Sequence, residues 1–186
     1  MIHLITGQQG SGKTLLLVKI AHDYYKKGKK IYSNVKLNFP YEPLDYQKII
    51  DCEYSDGMII LDEIHQLLPS RRSLSNRNVK IVDGFLSMVR KKNLEVYGTT
   101  QLEYKVDVRF RDEWDFLYHC KKFIFINGDL SPILHNQNLD VKIPIIVEFC
   151  VIDRYTNQRK FFRLDANPIF SMYDTTEIIK IKGLNI

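Results

Sequence analysis

Residues 7–14 read GQQGSGKT, which matches G-x-x-x-x-G-K-[ST], the pattern of a loop that binds nucleotide phosphates. The apolar run Ile2–Thr6 precedes this loop and predicts a buried strand. Residues 13–27 follow it with apolar side chains at helical spacing. A strand, a glycine-rich loop and a helix in succession predict an α/β fold with a phosphate site at the end of its first strand.

The loop residues have expected roles toward ATP and Mg²⁺. Glycines let the backbone approach phosphate oxygens, so that its N–H groups point at the anion. The Lys13 ammonium would reach the β- and γ-phosphates, and the Thr14 hydroxyl would ligate Mg²⁺. The predicted nucleotide-binding residues are Gly7, Gln8, Gln9, Gly10, Ser11, Gly12, Lys13 and Thr14. The alternative is a glycine turn before a basic helix, which the flanking strand and helix disfavour.

A second motif, MIILDE at 58–63, places two carboxylates at the end of another predicted strand. Ligands of open α/β sheets bind at the carboxyl ends of strands, so Asp62 is predicted to hold Mg²⁺ through water. Glu63 is predicted to polarise the attacking water as a general base. An exposed acidic pair is the alternative. The doublet favours a hydrolase over a kinase, because a kinase needs no acid beside its Mg²⁺ ligand.

Four further positions are candidates for contact with the γ-phosphate. Gln101 closes the next predicted strand, where it would report the presence of that phosphate, although polar residues are common at strand ends. The apolar spacing of residues 79–92 predicts a helix before that strand, and Arg90 lies in its last turn. It either complements the helix dipole or reaches the nucleotide of a neighbouring subunit as an arginine finger. Arg109 and Arg111 are rival fingers, and they could equally pair with neighbouring acids.

Composition restricts the class of protein. The chain has 186 residues, of which 45% are hydrophobic and 26% charged, values that exclude disordered, collagen-like and coiled-coil chains. No apolar run approaches 18 residues and the start does not resemble a signal peptide, so we expect a chain that does not itself span a membrane. Cys52, Cys120 and Cys150 form no CxxC pair, which predicts reduced thiols in a cytoplasm-like compartment.

The chain divides into two parts by pattern. Residues 1–120 alternate strands with helices, which predicts a core of three layers around a mostly parallel sheet. From residue 121 the pattern becomes β-rich, with turn signals at Asn127-Gly128 and Thr156-Asn157. We therefore expect residues 121–186 to form a small extension, rich in β-hairpin, that packs on the core.

The charge balance is mildly basic. Lysine and arginine exceed aspartate and glutamate, 27 against 22, which permits a nucleic-acid partner without establishing one. One basic segment follows the predicted Mg²⁺-binding strand directly, so hydrolysis could move it against DNA phosphates. The predicted DNA contacts are Arg71, Arg72, Arg77 and Lys80. A solvated basic loop is the alternative.

The order of these motifs resembles the FtsK/HerA superfamily of P-loop ATPases. More narrowly, it is similar to the short genome-packaging ATPases of membrane-containing icosahedral viruses and to the Zot-like proteins of filamentous phage. The resemblance covers about residues 1–120 and implies that they form a P-loop ATPase core, while the tail adds one patch. The motifs that carry it are GQQGSGKT at 7–14, MIILDE at 58–63, SRRSLSN at 70–76, Arg90, TTQ at 99–101, DVRFR at 107–111 and YDTTE at 173–177.

This resemblance implies a RecA-like (ASCE) core and a homo-oligomeric ring, usually a hexamer, that hydrolyses Mg-ATP at its subunit interfaces. Gln101 matches the glutamine that ends the superfamily's sensor strand, and Arg90 matches its arginine that acts across the interface. The implied function is a double-stranded DNA translocase that packages a viral genome into a capsid. The implied partners are double-stranded DNA, bound without sequence specificity, and a viral capsid vertex or membrane protein.

The expected location is the host cell cytoplasm or the virion. The lack of a transmembrane helix counts against a role in filamentous-phage assembly. The lack of the extra domains of the cellular translocases counts against a partition motor. Two alternatives stay open, a nucleotide or small-molecule kinase and a nucleotide-gated phage assembly factor of the Zot-like type. A kinase would need an arginine-bearing lid, and a pure switch would gain nothing from Glu63.

Overall fold

The computed structural model of the chain describes residues 1–72, 75–126, 129–132 and 145–174. Several predictions fall on other residues and lie outside this described part. They are the Asn127-Gly128 turn, positions 73–74 of the SRRSLSN motif, positions 175–177 of the YDTTE patch, and the remainder of the extension, residues 133–144 and 175–186.

A single nine-stranded sheet runs through the described residues. Its strands are β1 (Ile2–Thr6), β2 (Lys30–Ser33), β3 (Glu42–Pro43), β4 (Gly57–Leu61), β5 (Leu94–Thr100), β6 (Phe116–Ile126), β7 (Asp129–Pro132), β8 (Ile145–Asp153) and β9 (Arg159–Asp165). They lie in the order β3-β2-β4-β5-β1-β6-β8-β9, and β7 pairs with β6. Neighbours from β3 to β6 are parallel, whereas β7, β8 and β9 join antiparallel. The predicted α/β class with a mostly parallel sheet is confirmed.

Helices connect the parallel strands. They are α1 (Lys13–Lys26), α2 (Tyr46–Ile50), α3 (Asn76–Lys91) and α4 (Val108–Arg111). Helix α3 begins three residues before the predicted position 79, because the Ser75 hydroxyl accepts a hydrogen bond from the Asn78 N–H at 3.2 Å and caps the helix. None of the helices in the described ranges is sufficiently long and apolar to cross a bilayer.

Two apolar clusters cover the two faces of the sheet. Strand β4 contributes to both, because successive side chains of a strand point to opposite faces. Ile59 and Leu61 pack with α2, α3 and α4, whereas Met58 and Ile60 pack with α1. All four side chains are fully buried. A strand buried on both faces explains why this segment is continuously apolar rather than alternating.

The β-rich extension continues the sheet of the core. Strand β6 runs across the predicted boundary at residue 120, and β8 pairs with it from Phe116 to Ile124. A 3-10 helix, Asn167–Met172, then returns the chain to the α1 face, where Tyr173 bridges to Leu37. The division into a core of 1–120 and an extension of 121–186 stays a prediction.

Candidate active site

The loop of residues 7–14 connects β1 to α1 at the carboxyl edge of the sheet. Three of its glycines have positive φ angles, 149° at Gly7, 75° at Gly10 and 90° at Gly12. A Cβ atom on Gly7 would lie 2.6 Å from the Cys120 carbonyl oxygen, and one on Gly12 would lie 2.5 Å from Val147 Cγ2. The loop therefore needs glycine for its backbone angles and for space, because β6 and β8 press against it.

The loop folds around the ammonium of its own lysine. Lys13 Nζ donates to the carbonyl oxygens of Gly7 at 3.1 Å and Gln8 at 3.0 Å, and the residue is buried. No carboxylate of the described residues forms an ion pair with this ammonium. The Ser11 hydroxyl is also buried, and it has no hydrogen-bond partner in the described part of the chain. A buried cation and an unpartnered hydroxyl in one loop suit a phosphate anion.

Three neighbouring segments hold Asp62, which follows β4. The Thr14 hydroxyl donates to Asp62 Oδ2 at 2.9 Å, and the Thr99 hydroxyl donates to Oδ1. The Asn34 side chain binds the backbone of Asp62 twice, donating to its carbonyl oxygen at 2.9 Å and accepting from its N–H at 2.8 Å. The structure therefore brings the two predicted Mg²⁺ ligands, Thr14 and Asp62, into direct contact.

Glu63 turns away from the strand in a left-handed conformation, with φ of 51°. Its N–H donates to the Thr99 hydroxyl at 2.9 Å, and its Oε2 lies 3.2 Å from His65 Nδ1. Burial and the neighbouring Asp62 carboxylate raise the pKa of Glu63, and the charges of His65 and Lys13 oppose that rise. A carboxylate with a raised pKa is a stronger base, which suits the predicted role in activating water.

Gln101 directly follows β5 and is half-buried. Because β1, β4 and β5 are adjacent and parallel, their carboxyl ends meet at one edge. That edge therefore carries the residue 7–14 loop together with Asp62, Glu63 and Gln101.

Each arginine considered as a finger is paired with an acid. Arg90 lies in the last turn of α3 at the amino edge of the sheet, where its exposed side chain contacts Glu113 at 3.3 Å. Arg109 binds the fully buried carboxylate of Asp107, with an Nη2–Oδ2 distance of 2.8 Å. Arg111 pairs with its neighbour Asp112. The fold separates Arg90 from the site of its own chain, because α3 runs antiparallel to the strands that it connects.

The predicted DNA contacts surround the start of α3. Arg71 is exposed, and the backbone of Arg72 ends the same 3-10 turn. Lys80 is exposed on the helix. Arg77 is half-buried, with its guanidinium carbon 5.1 Å from the centre of the Tyr46 ring. This stacking fixes Arg77 against α2, so Arg71 and Lys80 are the more accessible cations.

Three residues beside this site have no role among the sequence predictions, although Tyr173 is the first residue of the YDTTE patch. Asn34 follows β2, so its position at the carboxyl edge was the available signal. His65 lies one short turn beyond Glu63. Tyr173 is buried on the returning tail, where burial and the charge of Asp62 raise its pKa to about 12. No local sequence pattern predicts Tyr173 at this site, because its position depends on how β8, β9 and the following 3-10 helix return the chain to the α1 face.

No protein-family model matches the chain, and no curated protein matches its sequence. Solved structures do match. The N-terminal domain of zonular occludens toxin from Neisseria meningitidis is 19% identical, with a TM-score of 0.62 over 93% of this chain and 98% of that one. The genome-packaging NTPase B204 from Sulfolobus turreted icosahedral virus 2, in complex with ATP-γS, is 13% identical, with a TM-score of 0.56 over 86% and 95%.

A structure of B204 described as the DNA-packaging ATPase from Sulfolobus turreted icosahedral virus is 14% identical, with a TM-score of 0.55 over 86% of this chain and 95% of that one. At these identities the likeness shows the fold. The predicted resemblance to Zot-like and viral packaging ATPases is therefore confirmed for the fold, which is that of a P-loop ATPase.

Proposed function

We propose that this chain is a Mg²⁺-dependent ATPase that moves double-stranded DNA, and that its task is to package a viral genome into a capsid. The observation that carries the proposal is the contact of Thr14 with Asp62 beside Glu63, at the mouth of the residue 7–14 loop. A phosphate cradle, two oxygen ligands for a divalent cation and an adjacent base are the parts that ATP hydrolysis requires. Their common sheet edge supports the hydrolytic part of the proposal.

ATP is the proposed ligand of the loop. The Lys13 ammonium rests on two backbone carbonyl oxygens, and phosphate oxygens would be stronger acceptors for it because they are charged. The unpartnered Ser11 hydroxyl would donate to the same anion. The likeness to B204, whose structures include complexes with ATP-γS, AMP and AMPPCP, supports a nucleotide ligand.

Mg²⁺ fits the oxygen donors present. Mg²⁺ binds proteins through one or two carboxylate or hydroxyl groups and completes its shell with water and phosphate. The Thr14 hydroxyl and the Asp62 carboxylate, 2.9 Å apart, provide such a pair. When bound, the cation would neutralise charge that develops on the phosphates. Thr99 and Asn34 would keep the Asp62 carboxylate oriented toward it.

Glu63 would accept the proton of the attacking water. Its backbone N–H is fixed by the Thr99 hydroxyl, so the carboxylate starts from a defined position next to Asp62. The raised pKa of Glu63 makes proton transfer from water less unfavourable. Gln101, at the adjacent strand end, would lie near the γ-phosphate and sense its loss.

Backbone contacts join the site to the basic segment. The chain after β4 and the chain after β5 are bridged at Pro69 and Val106, and the Asp107 N–H donates to the Leu68 carbonyl at 2.9 Å. The Asn78 side chain ties the start of α3 to the Pro69 carbonyl at 3.2 Å. A shift of Gln101 on loss of phosphate would reach Arg71 and the start of α3 through these contacts.

The proposal includes a homo-oligomeric ring, taken as a hexamer, with ATP between subunits. Arg90 is distant from its own site, so a finger role for it requires a neighbouring subunit. A viral capsid vertex or membrane protein would receive the ring, in the host cytoplasm or on the virion. DNA would be held through its phosphates, because a packaging motor must accept every sequence of its genome.

The test is the ATP hydrolysis rate with and without double-stranded DNA. We expect strong stimulation by DNA of unrelated sequences, weakened by added salt because phosphate contacts release counterions. Lys13→Ala is the matched control, which should show no hydrolysis under either condition. Transfer of the γ-phosphate to a small acceptor without bulk hydrolysis would contradict the proposal and favour the kinase. Negligible turnover despite ATP binding would favour the assembly factor.

A further inference from the structure

Strand β9, Arg159–Asp165, is the last strand of the sheet and is poorly covered. Six of its seven residues are exposed, and Leu164 is the exception. Phe161 is 70% and Phe162 is 46% exposed. Within the described ranges, no strand pairs with its outer edge. Natural proteins usually protect such edges, because unpaired N–H and C=O groups recruit another strand.

The contacts of β9 with β8 determine which backbone groups face outward. The Asp153 N–H donates to the Gln158 carbonyl at 3.0 Å, and the Ala166 N–H donates to the Ile145 carbonyl at 2.8 Å. Backbone groups alternate in direction along an antiparallel pair. Even-numbered residues of β9 therefore bond to β8, and odd-numbered residues present their N–H and C=O outward. The outward set is Arg159, Phe161, Arg163 and Asp165.

We propose that β9 pairs antiparallel with β9 of a second copy of this chain, about a two-fold axis that passes through Phe162. In this register, Arg159 lies opposite Asp165 of the second copy, and Phe161 lies opposite Arg163. Phe162 faces its own counterpart. Each outward-facing backbone meets an outward-facing backbone, so a hydrogen-bonded ladder forms.

Charge selects this register over its neighbours. A two-fold axis at Phe161 would place Arg159 opposite Arg163, and an axis at Arg163 would place two arginines face to face. Like charges directly opposite one another destabilise a strand pair. The axis at Phe162 instead creates two Arg159–Asp165 pairs and stacks two aromatic rings, both of which are favourable cross-strand pairs. If the axis passed between two residues, each odd-numbered residue would lie opposite an even-numbered one. Outward-facing backbone groups would then meet groups that already bond to β8.

The chemistry of the edge favours a second copy over nucleic acid. Aromatic and basic residues together can bind single strands by stacking. Here Arg163 is already paired with Glu148 at 3.1 Å. The Asp165 carboxylate, oriented by the Asn167 N–H at 3.0 Å, would repel phosphate at the end of the strand. A second β9 satisfies the same aspartate with Arg159.

This contact is distinct from a ring interface. A two-fold contact uses the same surface on both copies, so it joins two chains and closes. A ring requires two different surfaces on each subunit. The β9 pairing therefore does not depend on the proposed ATPase activity, and it can be tested without nucleotide.

The decisive test is disulfide formation across the axis. Opposed residues of a non-hydrogen-bonded pair have Cα atoms about 4.5 Å apart, which is within the range for a disulfide. We therefore expect Phe162→Cys to form a disulfide-linked dimer under mild oxidation. Lys160→Cys is the matched control on the same face, because its two copies would lie about 13 Å apart along the strands. Absence of the linked dimer in Phe162→Cys, or equal linking in both variants, would overturn the proposal.

A charge exchange provides a second test, which adds no cysteine. The molar mass in solution is measured without nucleotide and at a fixed protein concentration. Arg159→Asp and Asp165→Arg should each lower this mass twofold relative to wild type, toward the 22.0 kDa of one chain. The double variant carrying both changes should restore the wild-type mass, because each pair is rebuilt with reversed charge. Failure of the double variant to recover would refute the register. Loss of oligonucleotide binding in Arg159→Asp at unchanged mass would assign the edge to nucleic acid instead.

Discussion

At the scale of single residues, Thr99 connects the two acids of the site. Its one hydroxyl donates to the Asp62 carboxylate and accepts a hydrogen bond from the Glu63 N–H. Strand β5 therefore fixes both acids that follow β4. Sequence motifs predicted that Lys13, Asp62 and Glu63 would meet, because spacing and strand ends specify their edge. They could not assign the Thr99 hydroxyl its two partners, since a threonine at a strand end has several rotamers and no diagnostic spacing.

Glu63 offers a prediction on stability against pH. Because the pKa of Glu63 is raised above its ordinary value of 4.5, the folded chain binds this proton more tightly than the unfolded chain. That stabilisation is present below about pH 4.5 and is lost as pH rises through the folded-state pKa. Glu63→Gln should therefore be more stable than wild type at neutral pH, with the difference disappearing in acid.

Denaturant unfolding of Glu63→Gln and wild type measures this difference in stability at neutral pH and at a pH below the ordinary glutamate pKa of 4.5. Glu53→Gln is the matched control, because Glu53 is exposed in a loop before β4. We expect no gain in its free energy of unfolding at either pH. A Glu63→Gln variant less stable than wild type at neutral pH would show that the ionised carboxylate stabilises the fold.

At the scale of elements, the sequence distinguished buried strands from amphipathic helices well. The continuous apolar run of β4 follows from burial on both faces of the strand. The apolar spacing of α3 follows from burial on one face of the helix. The start of α3 was placed too late, because a single capping hydroxyl at Ser75 determined it. The union of β8 and β9 with the main sheet was not predictable, since a hairpin has the same pattern whether it stands alone or extends another sheet.

The packing of β8 on the residue 7–14 loop predicts a coupling between the extension and nucleotide binding. Val147 is fully buried, and its Cγ2 occupies the space beside Gly12. Val147→Ala removes two buried carbon atoms, so we expect a loss of about 2 kcal/mol in the free energy of unfolding. ATP affinity should fall as well, because the loop loses the side-chain atoms that pack beside Gly12.

Val151→Ala provides the comparison on the same strand. Val151 is half-buried and lies further along β8, opposite Tyr118 of β6. It should lower stability with little effect on ATP affinity. Equal loss of affinity in the two variants would mean that the extension affects binding only through global stability.

At the scale of the whole molecule, the position of Arg90 requires a second subunit if that residue acts on the nucleotide. Arg90→Ala should bind ATP normally and hydrolyse it poorly, because a finger stabilises the transition state more than the ground state. Mixing it with Lys13→Ala should recover some activity. In a mixed ring, an intact loop on one subunit can face an intact Arg90 on the next.

The controls for this mixing experiment are the two rival arginines. Subunit exchange must first be demonstrated, for example by dilution and re-concentration of labelled chains. Recovery with Arg109→Ala or Arg111→Ala in place of Arg90→Ala would transfer the finger to that residue. No recovery with any of the three would contradict a finger that acts between subunits.

The rate of phosphate release tests whether the chain hydrolyses ATP through Glu63. Wild type and Glu63→Gln are compared with ATP and Mg²⁺ in excess, while ATP affinity is measured separately for both. We predict equal affinity and phosphate release about 10²–10⁴ times slower in the variant, because the amide keeps the shape and cannot accept a proton. Equal rates in the two proteins, or no phosphate release from a wild type that binds ATP, would contradict hydrolysis through Glu63.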